Sequence, residues 1–168
     1  MQRQRRIKKQ STIKISWIIT AIILVLFFTV FITFHQAEKP MNTARSQTVS
    51  MAKKYAGLTT VSSFYSSNLN KTYYSVAGKD NKGRKIYVII AKKGGNITVI
   101  NQNSGLSETE IRNVITEKKS PQKINSISLT LINSKPYWVV SYLNSDDNLC
   151  FATLNFKTGN VYKSIENI

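Results

Sequence analysis

Apolar positions near the amino terminus run together instead of alternating. From Ile15 to Phe34 no charged side chain occurs, and twenty residues of helix at about 1.5 Å each reach about 30 Å, the thickness of a bilayer's hydrocarbon core. The pattern predicts a transmembrane helix over 13–34, behind a basic tail over 1–12. Ser16, Thr20, Thr29 and Thr33 interrupt the run only with hydroxyls, which can bond back to carbonyls one turn earlier. The remaining sequence could not enclose a helix apolar on all sides. A cleaved signal peptide is the competing reading. Against it, the run exceeds the usual 7–15 residues, and His35 stands where a small residue would be wanted. A lipid-anchored start finds no support, since Cys150 is the only cysteine.

Beyond the run the periodicity changes twice. A short juncture over 35–41 contains Pro40, which should interrupt any continuous helix. Ala44, Thr48, Met51, Ala52 and Tyr55 then recur at helical spacing and predict a helix over 42–56, closed by Gly57. Strand patterns follow over 61–67, 72–79, 84–92 and 97–101, separated by Asn-, Asp- and Gly-rich reversals. Ser107 with Glu110 forms a capping box, and Leu106 with Ile111 its hydrophobic staple. Ile111, Val114 and Ile115 make one stripe of a second helix that Pro121 stops. Strands are expected again over 126–131, 137–143, 149–156 and 161–165.

The two halves superpose at a constant offset of 64. Lys71-Thr72-Tyr73-Tyr74 falls on Lys135-Pro136-Tyr137-Trp138, Val76 on Val140, Ile90 on Leu154, and Lys93-Gly94-Gly95-Asn96-Ile97 on Lys157-Thr158-Gly159-Asn160-Val161. A lysine followed by Gly-Asn at matched spacing in both halves argues for duplication rather than shared alternation. The expected fold is α+β: the membrane helix, then a first helix-on-sheet unit over 42–103 and a second over 104–168, each with a three- to four-stranded antiparallel sheet.

Charge changes the picture in two ways. Arg3, Arg5, Arg6, Lys8, Lys9 and Lys14 precede the uncharged run with no acid among them, which places the amino terminus in the cytoplasm and the rest outside. Read this way, the tail is a topological signal and not a nucleic-acid site. Of the 24 Lys and Arg, eighteen lie beyond the run against all eight acids, a net +10 for the exported part. Such a surface either is drawn to polyanions, which outside a cell means anionic wall polymers or lipid headgroups and would make the chain a passive wall tether, or merely keeps the protein soluble. Lys82, Arg84, Lys85, Lys92 and Lys93 form the candidate polyanion or partner site, against the alternative that they only keep sheet edges from pairing.

Candidate chemistry is scarce. His35 is the only histidine and falls at the membrane exit, and no His/Cys spacing suits a metal. No phosphate loop or nucleophile motif occurs. Asp146-Asp147 sits in a predicted hairpin loop, Glu108, Glu110 and Glu117 have helix roles, and Cys150 is placed to pack as a small hydrophobe. The expectation is a binding protein with no catalytic residue, metal or cofactor.

Tyr137-Trp138-Val139-Val140, then Leu149 to Phe156 closing on Lys157-Thr158-Gly159-Asn160-Val161, resembles the PepSY-type strand pair. With the basic start, the single apolar helix, and the stretches 73–83 and 137–143, the whole chain is similar to the TseB-like (YpmB-like) proteins of Gram-positive bacteria. Gly94-Gly95 in the first unit departs from the Thr158-Gly159 of the second. The resemblance implies cystatin-like units and an accessory role in cell-wall elongation through a penicillin-binding transpeptidase. Its PepSY component implies, as an alternative, inhibition of an extracellular peptidase.

Overall fold

The computed structural model describes the backbone of residues 2–166 and the side chains of 15, 17–33 and 39–166. Helix α1 runs Gln2–Ala56 without a break, so the interruption expected at the 35–41 juncture does not occur. Pro40 deletes one N–H and crowds the carbonyl one turn back, a local loss that leaves the ladder intact on either side. Met1–Thr43 and Ala44–Ile168 are separate compact units.

In the first unit, the described large apolar side chains of α1 all face outward, Trp17 at 74% and Phe27 at 70% exposure among them. Thr29 and Thr33 donate back to the carbonyls of Val25 and Val30, both at 2.8 Å, as helical hydroxyls without other partners do. Among the described residues no helix is long and apolar enough to cross a membrane. The side chains of the basic tail, of Ser16 and of Phe34 to Glu38, His35 included, lie outside those described.

The second unit holds two four-stranded antiparallel sheets. Leu58–Asn68, Thr72–Asp80, Lys85–Ala91 and Ile97–Asn101 (β1 to β4) form one in sequence order. Lys123–Ile132, Lys135–Leu143, Leu149–Asn155 and Val161–Ile165 (β5 to β8) form the other, and helix α2 (Glu108–Lys119) connects the two halves. The α2 capping box is complete: Ser107 Oγ accepts from the Glu110 amide, and Glu110 Oε2 accepts from the Ser107 amide at 2.8 Å.

One face of the first sheet, with Val76, Val88 and Ile90, packs on the last turns of α1 through Ala52, Val49, Met51 and Ala56. Tyr55, expected on that stripe, points outward at 62% exposure, with the Lys54 ammonium 5.0 Å from its ring centroid. The opposite face presents Tyr65, Ala77, Tyr87 and Ile89 to one apolar cluster with Ile111 and Ile115 of α2 and with Leu129, Trp138, Val140 and Leu154 of the second sheet. Trp138, fully buried, meets Tyr65 and Tyr87 edge-on at 5.8 and 5.6 Å and stacks on Phe156 at 6.2 Å. The two units expected as tandem modules therefore share one core.

The repeat is written into the strands. Adding 64 to the limits of β3 and β4 gives those of β7 and β8, and the pairs Val76↔Val88 and Tyr73↔Ala91 become Val140↔Ala152 and Tyr137↔Asn155. The offset is not constant throughout. Asn68↔Thr72 closes a three-residue hairpin loop, whereas Ile132↔Lys135 closes over Asn133 and Ser134 alone, at φ of 50° and 61°. Positive φ at both centres suits the tight two-residue turn, and the register differs accordingly: the pair Asn68↔Thr72 corresponds to Leu131↔Pro136, one residue further apart, so β1 maps onto β5 at an offset of 63.

Candidate functional site

The five predicted basic residues sit at opposite ends of β3. Lys82 and Arg84 belong to the β2–β3 turn and Lys85 opens β3, whereas Lys92 and Lys93 belong to the β3–β4 turn. Seven strand residues at about 3.3 Å each separate the two groups by about 20 Å, so no single cluster exists.

At the first end Asp80 organises the turn. Its Oδ1 accepts from the amides of Lys82 and Arg84 at 2.9 and 2.8 Å, and its Oδ2 accepts from Arg84 Nε at 2.7 Å. Arg84 Nη2 reaches the same Oδ2, also at 2.7 Å, so the guanidinium grips one carboxylate oxygen while the amides hold the other. Gly83 at φ 74° allows the reversal, and the Asn81 amide ties it to the Gly57 carbonyl beyond α1. Burial alone would raise the Asp80 pKa; the Arg84 side chain and the two amides outweigh it and lower the value. Arg84 is thus spent on the turn, and Lys82 and Lys85 are left as exposed cations.

The other end gathers a residue the sequence reading did not place there. Lys71 ends the β1–β2 loop, and the Lys92 amide donates to the Thr72 carbonyl at 3.0 Å, which sets the two hairpin tips side by side. An open cavity of about 610 Å³ is lined by Asn70, Lys71, Lys92, Lys93 and Gly94 with Thr72 and Ala91. A second, of about 340 Å³, shares Asn70, Lys71, Ala91 and Lys93 and continues to Asn133 and Ser134 on the β5–β6 turn. Among the described residues no carboxylate lines either one. The signal that could have found Lys71 was strand pairing: once β2 and β3 are antiparallel neighbours, the start of one must lie beside the end of the other.

The remaining candidates lie apart from this groove. Asp146 and Asp147 occupy the β6–β7 turn, where Asn144 Oδ1 accepts the Asp146 amide at 3.0 Å. Cys150 is buried and free. Tyr65 donates to Glu108 Oε2 at 3.0 Å, and burial pushes the Tyr65 phenol up and the Tyr87 phenol to about 12. Glu110 is held below the usual carboxylate range by the Ser107 hydroxyl and amide. Among the described residues no group of three His, Cys, Asp or Glu side chains could hold a metal.

Residues 47–91, from the last turns of α1 through β3, match the family model described as the cell wall elongation regulator TseB-like domain. Over these residues the chain is similar to a TseB-like domain. It is 29% identical over 94 residues to a Bacillus subtilis (strain 168) protein described as "Probable cell wall elongation regulator TseB", across 55% of this chain and 58% of that one. The chain thus spans under two thirds of that relative's length. The solved YpmB protein from Bacillus subtilis superposes with a TM-score of 0.62 at 25% identity, over 72% of this chain and 95% of that structure. The TseB-like match contains Lys71, Lys82, Arg84 and Lys85 and ends directly before Lys92 and Lys93. The family matched is one of regulators, and the two similar sheet units agree with an internal repeat.

Proposed function

We propose that this protein is a membrane-anchored, non-enzymatic regulator of cell-wall elongation whose extracytoplasmic part binds a penicillin-binding transpeptidase. The observation that carries the reading is the TseB-like domain at residues 47–91, with its likeness to an elongation regulator. The anchor draws support from α1. A helix whose large apolar side chains from Trp17 to Ile32 are all at least half exposed needs a non-aqueous surrounding. The basic cluster from Arg3 to Lys14 supports a cytoplasmic amino terminus. Binding by strand edges and loop tips fits a fold whose first sheet is covered on both faces.

Crosslinking in cells followed by mass spectrometry tests this, run beside a version in which residues 13–34 are replaced by an unrelated membrane helix. The expected result is recovery of a wall transpeptidase with both forms. Recovery of no wall-synthesis protein under crosslinkers of several lengths would refute the partner, and release of the native chain by a salt wash without detergent would refute the anchor.

A further inference from the structure

We infer that the groove between Lys71, Lys92 and Lys93 is a binding site for a linear polymer of linked phosphates. This stands apart from the transpeptidase reading, since it concerns a different ligand and a different assay.

Three observations point the same way. All three lysines are exposed, and among the described residues none makes an ion pair; the three salt bridges of the second unit involve Arg84, Arg112 and Lys119. Three like charges converging on one groove repel one another unless an anion offsets them, so the arrangement favours occupancy by negative charge. The groove is also elongated. Its two cavities share Asn70, Lys71, Ala91 and Lys93 and pass from the tips of the first sheet to the β5–β6 turn. A compact anion would fill one cavity, whereas a chain with a charge on every repeat can run through both.

The lining suits a phosphate chain in particular. Lysine serves phosphate as a rotatable point charge and does not demand the planar fork of a guanidinium. Asn70, Asn96, Asn133 and Ser134 set neutral donors along the same path, and Tyr73, Thr98 and Leu131 give it an amphipathic floor for the linkers between charges. The opposite end of the sheet offers a built-in contrast: Lys79, Lys82 and Lys85 carry equal charge, but Asp80 lies among them with Arg84 already paired to it.

The test uses the full chain in nanodiscs of zwitterionic lipid, with linear inorganic polyphosphate as the probe and orthophosphate as the monomer control. The variants are Lys71→Gln/Lys92→Gln/Lys93→Gln at the groove and Lys79→Gln/Lys82→Gln/Lys85→Gln as an equal change in net charge elsewhere. The groove variant should lose about tenfold or more in polyphosphate affinity, and its slope of log affinity against log salt should fall by about 2, at about 0.7 for each lost contact. The control should change less than about threefold. Equal losses in both variants would show attraction by net charge alone and overturn the site. Undiminished binding by the groove variant would do the same. A third arm replaces the probe with nanodiscs containing phosphatidylglycerol; a groove-dependent preference for these over polyphosphate would assign the site to lipid headgroups and overturn the polymer. Should the triple variant fold poorly, lysine acetylation of the native chain decides. Polyphosphate should shield Lys71, Lys92 and Lys93 more than Lys79, Lys82 and Lys85, and even shielding refutes the inference.

Discussion

Substituting Trp138 with phenylalanine tests whether the two sheets stand or fall together. The indole is fully buried, its Nε1–H donates to the Leu106 carbonyl at 3.0 Å, and its ring touches Tyr65, Tyr87 and Phe156. Phenylalanine keeps one ring and loses the donor. Leaving the Leu106 carbonyl without its partner costs about 1 kcal/mol or more, and a partly vacated site and weakened ring pairs add about 1 kcal/mol. The expected loss is about 2 kcal/mol, a large share of a total of about 5–15 kcal/mol for a typical domain. With a urea slope of about 1–3 kcal/mol per molar, the midpoint should fall by about 1 M with the slope unchanged. Far-UV circular dichroism of a fragment covering 44–168 gives the midpoint. Hydrogen exchange resolves the halves: because Tyr65 and Tyr87 belong to the first sheet, protection should fall in β3 as well as in β7. Loss confined to β5–β8, or two separate transitions, would refute the shared core.

Two further outcomes follow from local geometry. Gly105→Ala would drive a Cβ into the Phe156 ring and within 2.6 Å of the Phe156 carbonyl oxygen; overpacking against the buried Phe156 should cost about 1–3 kcal/mol in the same urea experiment, and a neutral result would mean that the strap before α2 shifts freely. Asp80 has a folded pKa below its ordinary value of 3.8, so its stabilising contribution is complete above that value and is lost as pH falls through the lower folded one. Asp80→Asn should lower the melting temperature at neutral pH and flatten its decline in acid. It should not abolish that decline, since Glu110, held down by Ser107, and Glu166, held down by Lys119, titrate in the same window; parallel melting curves for the two proteins would rule out the Asp80 lock.

Local signals in the sequence translated well where they were stereochemically specific. The capping box at Ser107 and Glu110 starts α2 where expected, and the Gly-Asn reversals fix β4 and β8 to the residue. Strand ends without such punctuation drifted: β1 begins at Leu58 rather than Val61, and β5 at Lys123 rather than Ser126. Pro40 misled because a proline costs one turn of hydrogen bonding, and a long helix can absorb that. The shared core was partly legible. Ile86 to Ile90 is an unbroken apolar run, and all five residues are at most 4% exposed; a strand with no polar alternation must be covered on both faces. The run says that a second layer exists without saying which element supplies it. The basic cluster failed for a different reason. Lys85 and Lys92 are close in sequence only through an extended strand, whereas Lys71 and Lys92 are brought together by pairing.

That covering of both faces narrows where the stretch similar to the TseB-like family model can meet a partner. Residues 47–91 contribute the end of α1 and three of the four strands of the first sheet. One face of that sheet is spent on α1 and the other on the second repeat, so neither is free for a partner. What remains are the two edge strands, β1 and β4, with Val99 of β4 half exposed, and the two sets of hairpin tips. The tips differ in what they can offer. At the Asp80 end, hydrogen bonds hold Arg84 within the turn, so a ligand there would compete with the fold itself. At the Lys71 end, among the described residues, the cations answer to no acid, and Gly94 and Gly95, at φ of 86° and 63°, let the chain turn without side chains that would crowd the groove. Recognition by charge can therefore occur at one end of the sheet without cost to the turn, while the other end keeps the sheet closed.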